Sequence, residues 1–283
     1  MFGTLGRQLI SRLKFFPQTP PNRFAVYTCL FGYSEAFNDL VYERDENIDF
    51  ICFTDMPELQ SDFWRIEQVD RGGLDPARAA KQRKILAHRF LAEYTASLYI
   101  DNTVRLKMPP GEIFRRYLNQ SRSPLVCFRH PWRHCVYDEA REVLELGFDK
   151  PERVNAQLSH YRELGYPQNN GLWKGAFLLR RQNDRRLVRV METWFDLVRT
   201  YSQLDQISFP VAAWLHNFQP EFIPADFMDN DLLEYPYPPN PVRLPRAFDD
   251  ELYLELNPDV RAAHMNPRQH YLSSGAAEGR RFR

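Results

Sequence analysis

Residues 96–106 have the sequence ASLYIDNTVRL, in which a short apolar run ends in Asp101. Such a run, bounded by polar residues, is typical of a strand buried inside a sheet. An aspartate at the strand end lies at the carboxyl edge of the sheet, where open α/β sheets bind their ligands. A carboxylate there can hold Mg²⁺ or Mn²⁺ that bridges a diphosphate. The structural alternative is an aspartate that only bonds the turn after it.

Similar apolar runs recur along the chain, and helix-like segments separate them. The strand patterns occupy residues 24–32 (FAVYTCLFG), 48–55 (IDFICFTD), 63–69 (FWRIEQV), 123–128 (SPLVCF) and 171–181 (GLWKGAFLLRR). Helices are predicted over residues 75–94, 137–147, 151–165, 187–201 and 205–218, and a polar segment around 35–46 is also expected to be helical. This alternation predicts an α/β fold with a mostly parallel sheet covered by helices on both faces.

Composition excludes several classes of protein. The 283 residues carry 37 lysines and arginines against 37 aspartates and glutamates, and this neutrality argues against a dedicated nucleic-acid binder. No apolar run approaches about 18 residues, so no membrane-spanning helix is predicted. Four cysteines are too few for a disulfide scaffold and indicate a reducing compartment. The motifs GxGxxG, GxxxxGK[ST], HExxH and GxSxG are absent, which argues against dinucleotide enzymes, P-loop proteins, zincins and α/β-hydrolases.

Composition changes at both ends of the chain. Residues 1–16 interleave aliphatic and basic side chains at helical spacing and contain no acidic residue. They predict a basic amphipathic helix, which either rests on an anionic membrane surface or packs on its own domain. We expect four parts: this segment with its spacer over 1–22, a main domain over 23–235, a Pro-rich linker over 236–247 and a small helical module over 248–283.

Polar groups follow the second strand and line the first long helix. Asp55 ends the run ICFTD and could accept hydrogen bonds from a ribose or a base, although a turn role explains it equally. Arg78, Lys81 and Lys84 follow an i, i+3, i+6 spacing that forms one basic stripe. Such a stripe could stabilise a diphosphate leaving group, and a solvated helix face is the alternative.

The segment HPWRHCVYDEA, residues 130–140, concentrates polar groups before and within a helix. Asp138 or Glu139 could bond sugar hydroxyls or act as a general base, or could merely complement the helix dipole. With Cys127 the segment has a spacing that superficially suits zinc, but Pro131 interrupts a common ligand face.

A second short segment, LDQISF over 204–209, places Asp205 and Gln206 at a helix start. Asp205 either caps that helix or holds the acceptor or the transferred sugar. His216, further along, is a weak candidate metal ligand.

Taken in order, these segments resemble a glycosyltransferase-like family that plant cell-wall (mucilage-type) proteins share with bacterial polysaccharide loci. The resemblance covers roughly residues 24–225 and rests on VYTCLFGY, IDFICFTD, the basic helix, LYIDNTVRL, HPWRHCVYDEA, GLWKGAFLLRR and LDQISF. It implies a GT-A-like fold that binds a nucleotide-diphospho-sugar at the strand ends, with Mn²⁺ or Mg²⁺ as a candidate cofactor.

The resemblance also implies roles for single residues. The donor would be bound by Phe31, Gly32, Tyr33, Asp55, Lys84 and Asp101, with Asp101 in the first position of a DxD metal motif. The sugar or acceptor pocket would be lined by His130, Arg133, Tyr137, Asp138 and Glu139. Asp205 and Gln206 match the D-Q pair of the family, which is similar to the D-Q of some sugar-retaining GT-A enzymes.

The sequence departs from the family pattern at three places. Thr103 stands where a second aspartate would complete the metal motif, so a metal-dependent and a metal-independent site both stay open. Leu204 replaces an expected arginine, and Trp173-Lys174 replace an expected acidic position. These departures could change the donor or mark a weakened enzyme.

The C-terminal module resembles a short unit at the ends of bacterial polysaccharide-synthesis proteins, through YLELNPDV (253–260) and HYLSSGAAEGR (270–280). The whole therefore predicts a glycosyltransferase that acts on a surface polysaccharide or glycan at the cytoplasmic face of a bacterial membrane, with polysaccharide-synthesis proteins as candidate partners. The alternative is a non-catalytic nucleotide-sugar or glycan-binding protein that docks to a synthesis complex. A nucleotide-sugar hydrolase or pyrophosphorylase is a third interpretation.

Overall fold

The computed structural model describes residues 23–283. The predicted amphipathic helix and its spacer therefore lie outside the described residues. Within this part of the chain the strands are β1 (Phe24–Leu30), β2 (Ile48–Thr54), β3 (Arg65–Gln68), β4 (Ala96–Ile100), β5 (Arg105–Leu106), β6 (Leu125–Arg129), β7 (Trp173–Arg180), β8 (Glu221–Phe222) and β9 (Leu233–Glu234). The α-helices are α1 (Pro76–Ile85), α2 (Ala87–Phe90), α3 (Pro110–Ile113), α4 (Val136–Glu145), α5 (Pro151–Glu163), α6 (Arg185–Thr200), α7 (Phe209–Leu215), α8 (Asp250–Leu256), α9 (Pro258–Ala262) and α10 (Pro267–His270).

Seven strands form one sheet in the order β3-β2-β1-β4-β7-β6-β8. Strand β7 is antiparallel to β4 and β6, and the other neighbouring pairs are parallel. Strands β5 and β9 form a separate antiparallel pair. The predicted α/β arrangement with a mostly parallel sheet is confirmed. Within residues 23–283, no helix is both long and apolar enough to cross a membrane.

The strands carry apolar side chains on both faces, as expected of a sheet buried on both sides. In β1, Tyr27 packs into a core formed with α1, α4, α6 and α7, whereas Val26 packs into a second core on the other face. The second core includes Ile113 of α3 and Phe114 of the turn that follows it. Both faces of the sheet are thus covered.

Helix α1 begins as its sequence predicts but ends earlier. The Asp75 side chain accepts the backbone N–H of Arg78, and Pro76 occupies the first turn. The predicted helix over 75–94 is wrong in length, because the chain leaves helical geometry at Leu86. The carbonyl of Lys84 accepts hydrogen bonds from the Arg180 guanidinium and the Tyr27 hydroxyl, at 2.9 and 2.8 Å. Side chains thus satisfy the carbonyl groups that end the helix.

The segment around residues 35–46 is not helical, which corrects the prediction for it. Its start is held instead by the side chain of Asn102, whose Nδ2 donates to Glu35 and to the carbonyl of Ala36, and whose Oδ1 accepts the N–H of Asn38. The predicted linker over 236–247 lies against the same segment, and Glu35 forms a β-bridge with Arg243. Long-range contacts therefore decide the shape of this part of the chain.

The C-terminal module has a small polar and aromatic core of its own. The buried Tyr253 hydroxyl and His270 Nδ1 are 2.8 Å apart. Asn257 donates to the carbonyls of Tyr253 and Arg281, which ties α8 to the end of the chain. A Cβ at Gly275 would lie 2.3 Å from the Tyr253 hydroxyl, so only glycine fits there. The residues that resemble the bacterial unit thus build the interior of the module.

Candidate functional site

The candidate site lies where the order of the sheet changes direction. Chain progression runs from β1 outward through β2 to β3, and then resumes on the other side with β4. The crevice outside the carboxyl ends of β1 and β4 is therefore the topological switch point, where open α/β sheets bind ligands. Asp101 follows β4 directly, and its backbone N–H donates to the carbonyl of Ala176 in β7. Asp101 therefore lies at the carboxyl edge of the sheet, and its role as a ligand contact stays a prediction.

Two lysines of α1 hold the carboxylate of Asp205 at this edge. Lys84 Nζ lies 2.6 Å from Asp205 Oδ2, and Lys81 Nζ lies 3.0 Å from Oδ1. Lys84 Nζ is also 3.7 Å from Asp101 Oδ1, which accepts the Tyr99 hydroxyl at 2.7 Å. Three segments far apart in sequence thereby meet in one charged cluster.

The charges in this cluster stabilise one another. Burial opposes the ionised form of Asp205, but the ammonium groups of Lys81 and Lys84 outweigh it and hold the pKa of that carboxyl well below its usual range. Burial likewise opposes the charged form of Lys84, but Asp205 and Asp101 raise its pKa above the ordinary lysine value. Asp205 therefore stays a carboxylate and Lys84 stays an ammonium at neutral pH.

The remaining member of the predicted basic stripe has a structural role. Arg78 is buried, and its guanidinium donates to Asp75 and to the carbonyls of Val198 and Tyr201. It fixes α1 against the end of α6. The stripe thus divides into one structural arginine and two site lysines.

Lys174, at the start of β7, is a further cation of the site. Its ammonium lies 5.0 Å from the ring centre of Tyr235 and 5.4 Å from that of Phe227. Among residues 23–283 no carboxylate forms an ion pair with it within 4.0 Å. Burial lowers its pKa below the ordinary lysine value; the carboxylate of Asp101 opposes this and the charge of Lys84 adds to it. In the sequence, Lys174 stands out only as part of a departure from the family pattern.

A second polar group adjoins the lysines and is centred on Glu139, in the first turn of α4. Glu139 Oε1 accepts the Gln206 amide at 2.8 Å, and Oε2 accepts the Arg133 guanidinium. His130 Nε2 lies 4.0 Å from the same carboxylate. The predicted residues His130, Arg133, Glu139 and Gln206 are thus brought together, with Gln206 next to Asp205.

His130 is held as a neutral ring. Its Nδ1 accepts the backbone N–H groups of Arg133 and Trp132, at 3.0 and 3.3 Å, which leaves the proton on Nε2. Burial, with the positive charges of Lys174 and Arg133, lowers its pKa to about 4. His130 can therefore donate one hydrogen bond from Nε2 at neutral pH but cannot serve as a base there.

The loop after β1 is shaped by backbone geometry. Gly32 has φ +67°, and a Cβ there would lie 2.5 Å from the Pro76 side chain. Its N–H donates to Asp55 Oδ1 at 2.7 Å, while Asp55 Oδ2 pairs with Arg71. Tyr33 follows with φ +54°, and its hydroxyl donates to Glu58 at 2.5 Å. Asp55 thus joins the loop after β1 to the segment that follows β3, a structural role other than the local turn role weighed from the sequence.

Several predicted site residues lie elsewhere. Phe31 is a core residue and does not line the crevice, because its side chain packs with Tyr27 and Phe53. Asp138 lies one residue, or about 100° of helix, from Glu139, and it pairs with Arg141 on the outer surface of α4. These two residues are not part of the charged cluster.

Two more predicted site residues, Tyr137 and His216, also lie outside the charged cluster. The Tyr137 hydroxyl donates to the carbonyl of Tyr166, and the residue lines a separate cavity between α4 and α5. His216 ends α7, with Nε2 2.7 Å from the Thr193 hydroxyl, beside a cavity at the opposite edge of the sheet. The prediction of His216 as a metal ligand is corrected accordingly.

The donor set does not fit a divalent cation held by side chains. Both oxygens of Asp205 are paired with lysine ammonium groups. Asp101 Oδ1 accepts the Tyr99 hydroxyl and also lies 3.7 Å from Lys84 Nζ. Thr103 replaces the second carboxylate, and no group of three His, Cys, Asp or Glu side chains within 23–283 could hold a metal ion. Lysines lower the affinity of this crevice for cations and raise it for anions.

Three comparisons relate the chain to known proteins. The model of a family described as "TOD1/MUCI70, glycosyltransferase-like domain" matches residues 25–231, which is most of the chain. The probable hexosyltransferase MUCI70 of Arabidopsis thaliana is 24% identical over 191 residues, covering 64% of this chain and 31% of that protein. The chain thus spans about a third of that relative's length. A solved structure of the bifunctional glycosyltransferase WbbM, in its apo form, has a TM-score of 0.46 at 9% identity over 72% of this chain and 39% of that one.

Proposed function

The chain belongs to the TOD1/MUCI70 glycosyltransferase-like family, and from that premise we propose that it transfers a sugar from a nucleotide-diphospho-sugar to a surface polysaccharide or other glycan. The observation that carries the proposal is the group of lysines at the switch point. Lys84 lies beside Asp101 and Asp205 at the carboxyl edge of β4, and Lys174 at the start of β7 is close enough for the charges of Asp101 and Lys84 to act on it. Open α/β sheets bind phosphate-bearing ligands at this edge.

In this proposal the lysines stabilise the leaving group. Departure of the sugar leaves a nucleoside diphosphate with an additional negative charge, and preoriented cations lower the barrier for that step. Lys84 is already fixed by Asp205, so it needs little reorganisation when the charge develops. Lys174 has no carboxylate partner among the described residues, so a diphosphate would supply its counter-charge. Transfer then needs no divalent cation.

Glu139 is the residue we propose for orienting the acceptor hydroxyl. Of the three carboxylates considered from sequence, Asp138 lies on the outer surface and Asp205 is a weak base because two lysines lower its pKa. Glu139 is nearly buried, next to Gln206 and the donor Nε2–H of His130. A base is required only if the reaction inverts the anomeric centre; otherwise Asp205 and Gln206 flank that carbon.

The test is a panel of nucleotide-sugars in EDTA, with donor binding followed by calorimetry and release of nucleoside diphosphate followed by chromatography. We expect one donor to bind and to be consumed. Glu139→Gln keeps the size of the side chain but replaces one of its two acceptor oxygens, to which Gln206 and Arg133 donate, with an NH₂ group. Donor binding should persist, and in an inverting reaction turnover should fall by roughly 10²–10⁴-fold. The control is Glu145→Gln on the exposed surface of the same helix, which should change neither donor binding nor turnover.

The outcomes separate the candidate functions. Failure of every donor to bind would contradict the proposal. A donor that binds without any release of nucleoside diphosphate would favour the non-catalytic sugar-nucleotide binding protein. Release of free sugar at a rate that no glycan changes would favour a hydrolase.

A further inference from the structure

A cavity of about 290 Å³ lies between the C-terminal module and the main domain. Its inner wall comes from the loops after β1 and β2, including Tyr33, Phe37 and Met56. Its outer wall comes from the module, through Gln269, Leu272 and Ser273. The module thus covers an opening next to the candidate site.

The cavity adjoins the lysine cluster through Asn102, the residue after Asp101. The Asn102 side chain holds Glu35 and the carbonyl of Ala36, and both residues line the cavity. A ligand in the cavity therefore lies on the β1–β2 side of the switch point, whereas the lysines lie on the β4–β7 side. In doubly wound sheets a nucleotide crosses the switch point in this way.

The lining selects an uncharged group. Carboxylates of Glu35, Asp39 and Glu58 surround the opening, so a phosphate would be repelled there. The same carboxylates can accept hydrogen bonds from hydroxyl and ring N–H groups. Aromatic and apolar side chains supply flat surfaces, and the volume is at the lower limit of about 300–1,000 Å³ for small-molecule sites. This suits a base with its ribose, and the diphosphate would extend to the lysines.

We propose that the C-terminal module closes a nucleoside-binding cavity, with Gln269 and Ser273 contacting the base or ribose of the donor. The inference rests on the proposed function, since it concerns the nucleoside half of the same donor. In this proposal the module binds ligand through residues that are separate from those of its own core. Tyr253, Asn257 and Gly275 build the module, whereas Gln269 and Ser273 face the main domain.

The experiment uses the full chain and two probes, a set of nucleoside diphosphates (UDP, GDP and ADP) and inorganic pyrophosphate. Ser273→Trp places a large ring in the cavity, and Ala277→Trp is the control on an exposed position of the module outside the cavity lining. We expect at least one nucleoside diphosphate to bind the wild type and the Ala277→Trp variant equally. Ser273→Trp should weaken it by tenfold or more and leave pyrophosphate affinity unchanged.

A second variant distinguishes the loss of ligand contacts from a local folding defect. Gln269→Ala removes only polar contacts and should weaken the nucleoside diphosphate several-fold, with the thermal midpoint unchanged. Nucleoside diphosphate affinity that stays at the wild-type value in both variants would overturn the inference. Retained nucleotide binding with lost sugar transfer would also overturn it, because the cavity would then hold the acceptor. If neither nucleotides nor pyrophosphate bind the wild type, the proposed function itself fails.

Discussion

The ammonium of Lys84 and the carboxylate of Asp205 are both almost completely removed from solvent, and each keeps the other charged. Removal of one partner from such a buried pair leaves an uncompensated charge and costs roughly 3–5 kcal/mol. We therefore expect Asp205→Asn to lower the free energy of unfolding by an amount in that range, measured by urea denaturation.

The control for this prediction is an exposed ion pair. Asp196 and Arg199 lie 3.3 Å apart on the surface of α6, and pairs of that kind contribute about 0–1 kcal/mol. Asp196→Asn should therefore leave the urea midpoint nearly unchanged. Equal losses of unfolding free energy from Asp205→Asn and Asp196→Asn would show that Asp205 is not part of a buried ion pair with Lys84.

Lys174 should make anion binding depend on pH. Burial lowers its pKa, so this ammonium loses its proton at a lower pH than an ordinary lysine does. Pyrophosphate affinity should be greatest below that pKa and should fall as the pH rises through it. Lys174→Arg keeps its charge throughout, so the difference between the two proteins isolates this group from the titration of pyrophosphate. If the pyrophosphate affinities of the wild type and Lys174→Arg change in parallel from about pH 7 to 10, Lys174 is not the group whose titration controls anion binding.

At the scale of the elements, the loop after β1 tests how closely α1 approaches the sheet. Gly32 and Gly72 both have positive φ, but only Gly32 has a neighbour where a Cβ would stand, the Pro76 side chain at 2.5 Å. Gly72→Ala should cost roughly 1–2 kcal/mol from backbone strain alone. Gly32→Ala should cost roughly 1–3 kcal/mol more because Pro76 must move.

Thermal and urea unfolding of both glycine variants measure this difference. Since Asp55 accepts the N–H of Gly32, the Gly32→Ala substitution should also disturb the cavity wall at Tyr33. Equal destabilisation by the two substitutions would show that α1 does not press on the loop.

The longer strands were predictable because their signal is local, whereas the two-residue strands β8 and β9 were not predicted. Runs such as IDFICFTD are largely apolar, as a sheet buried on both faces requires, and this run matches β2 closely. The segment around 35–46 was not predictable, because Asn102 and the chain near Arg243 decide its shape from far away in sequence. The early end of α1 has the same origin, since Arg180 of β7 binds its last carbonyls.

The site was predictable where strand ends carry it. Asp101 lies at a strand end, where its sequence placed it, whereas its approach to Lys84 of α1 and the pairing of Lys84 with Asp205 depend on long-range contacts. The other site residues were harder to predict. In a segment as rich in polar residues as the start of α4, helix periodicity does not show which of Asp138 and Glu139 faces inward. Lys174 was missed as a site residue because it lies in an apolar strand, although a lysine within GLWKGAFLL is itself a signal of a special environment.

At the scale of the molecule, the edge of the sheet opposite the site is rich in arginine. Arg122, Arg186 and Arg189 line one cavity there, and Arg181 binds the carbonyls that precede β6. Strand β1, which the basic segment 1–16 precedes in the sequence, begins at the same edge. We propose that the protein contacts an anionic membrane surface from the cytoplasmic side, through this arginine-rich edge.

The matched test is sedimentation with vesicles of phosphatidylglycerol or phosphatidylcholine. Wild-type protein should pellet with the anionic vesicles alone. Arg122→Gln with Arg189→Gln should reduce that fraction, as should removal of residues 1–20, whereas Arg141→Gln with Arg199→Gln on exposed positions elsewhere should not. Equal pelleting with both lipids would contradict the membrane proposal.

The most direct test of the central claim is calorimetric titration of a nucleotide-sugar panel in EDTA with the wild type, Lys174→Met and Lys150→Met. Lys150 is exposed before the first turn of α5, so Lys150→Met removes an exposed charge of the same sign. We predict that one donor binds the wild type and Lys150→Met equally, and that Lys174→Met weakens it about tenfold or more, as expected for a lost charge-assisted hydrogen bond. Absence of any bound donor, or an affinity that Lys174→Met leaves unchanged, would contradict the account.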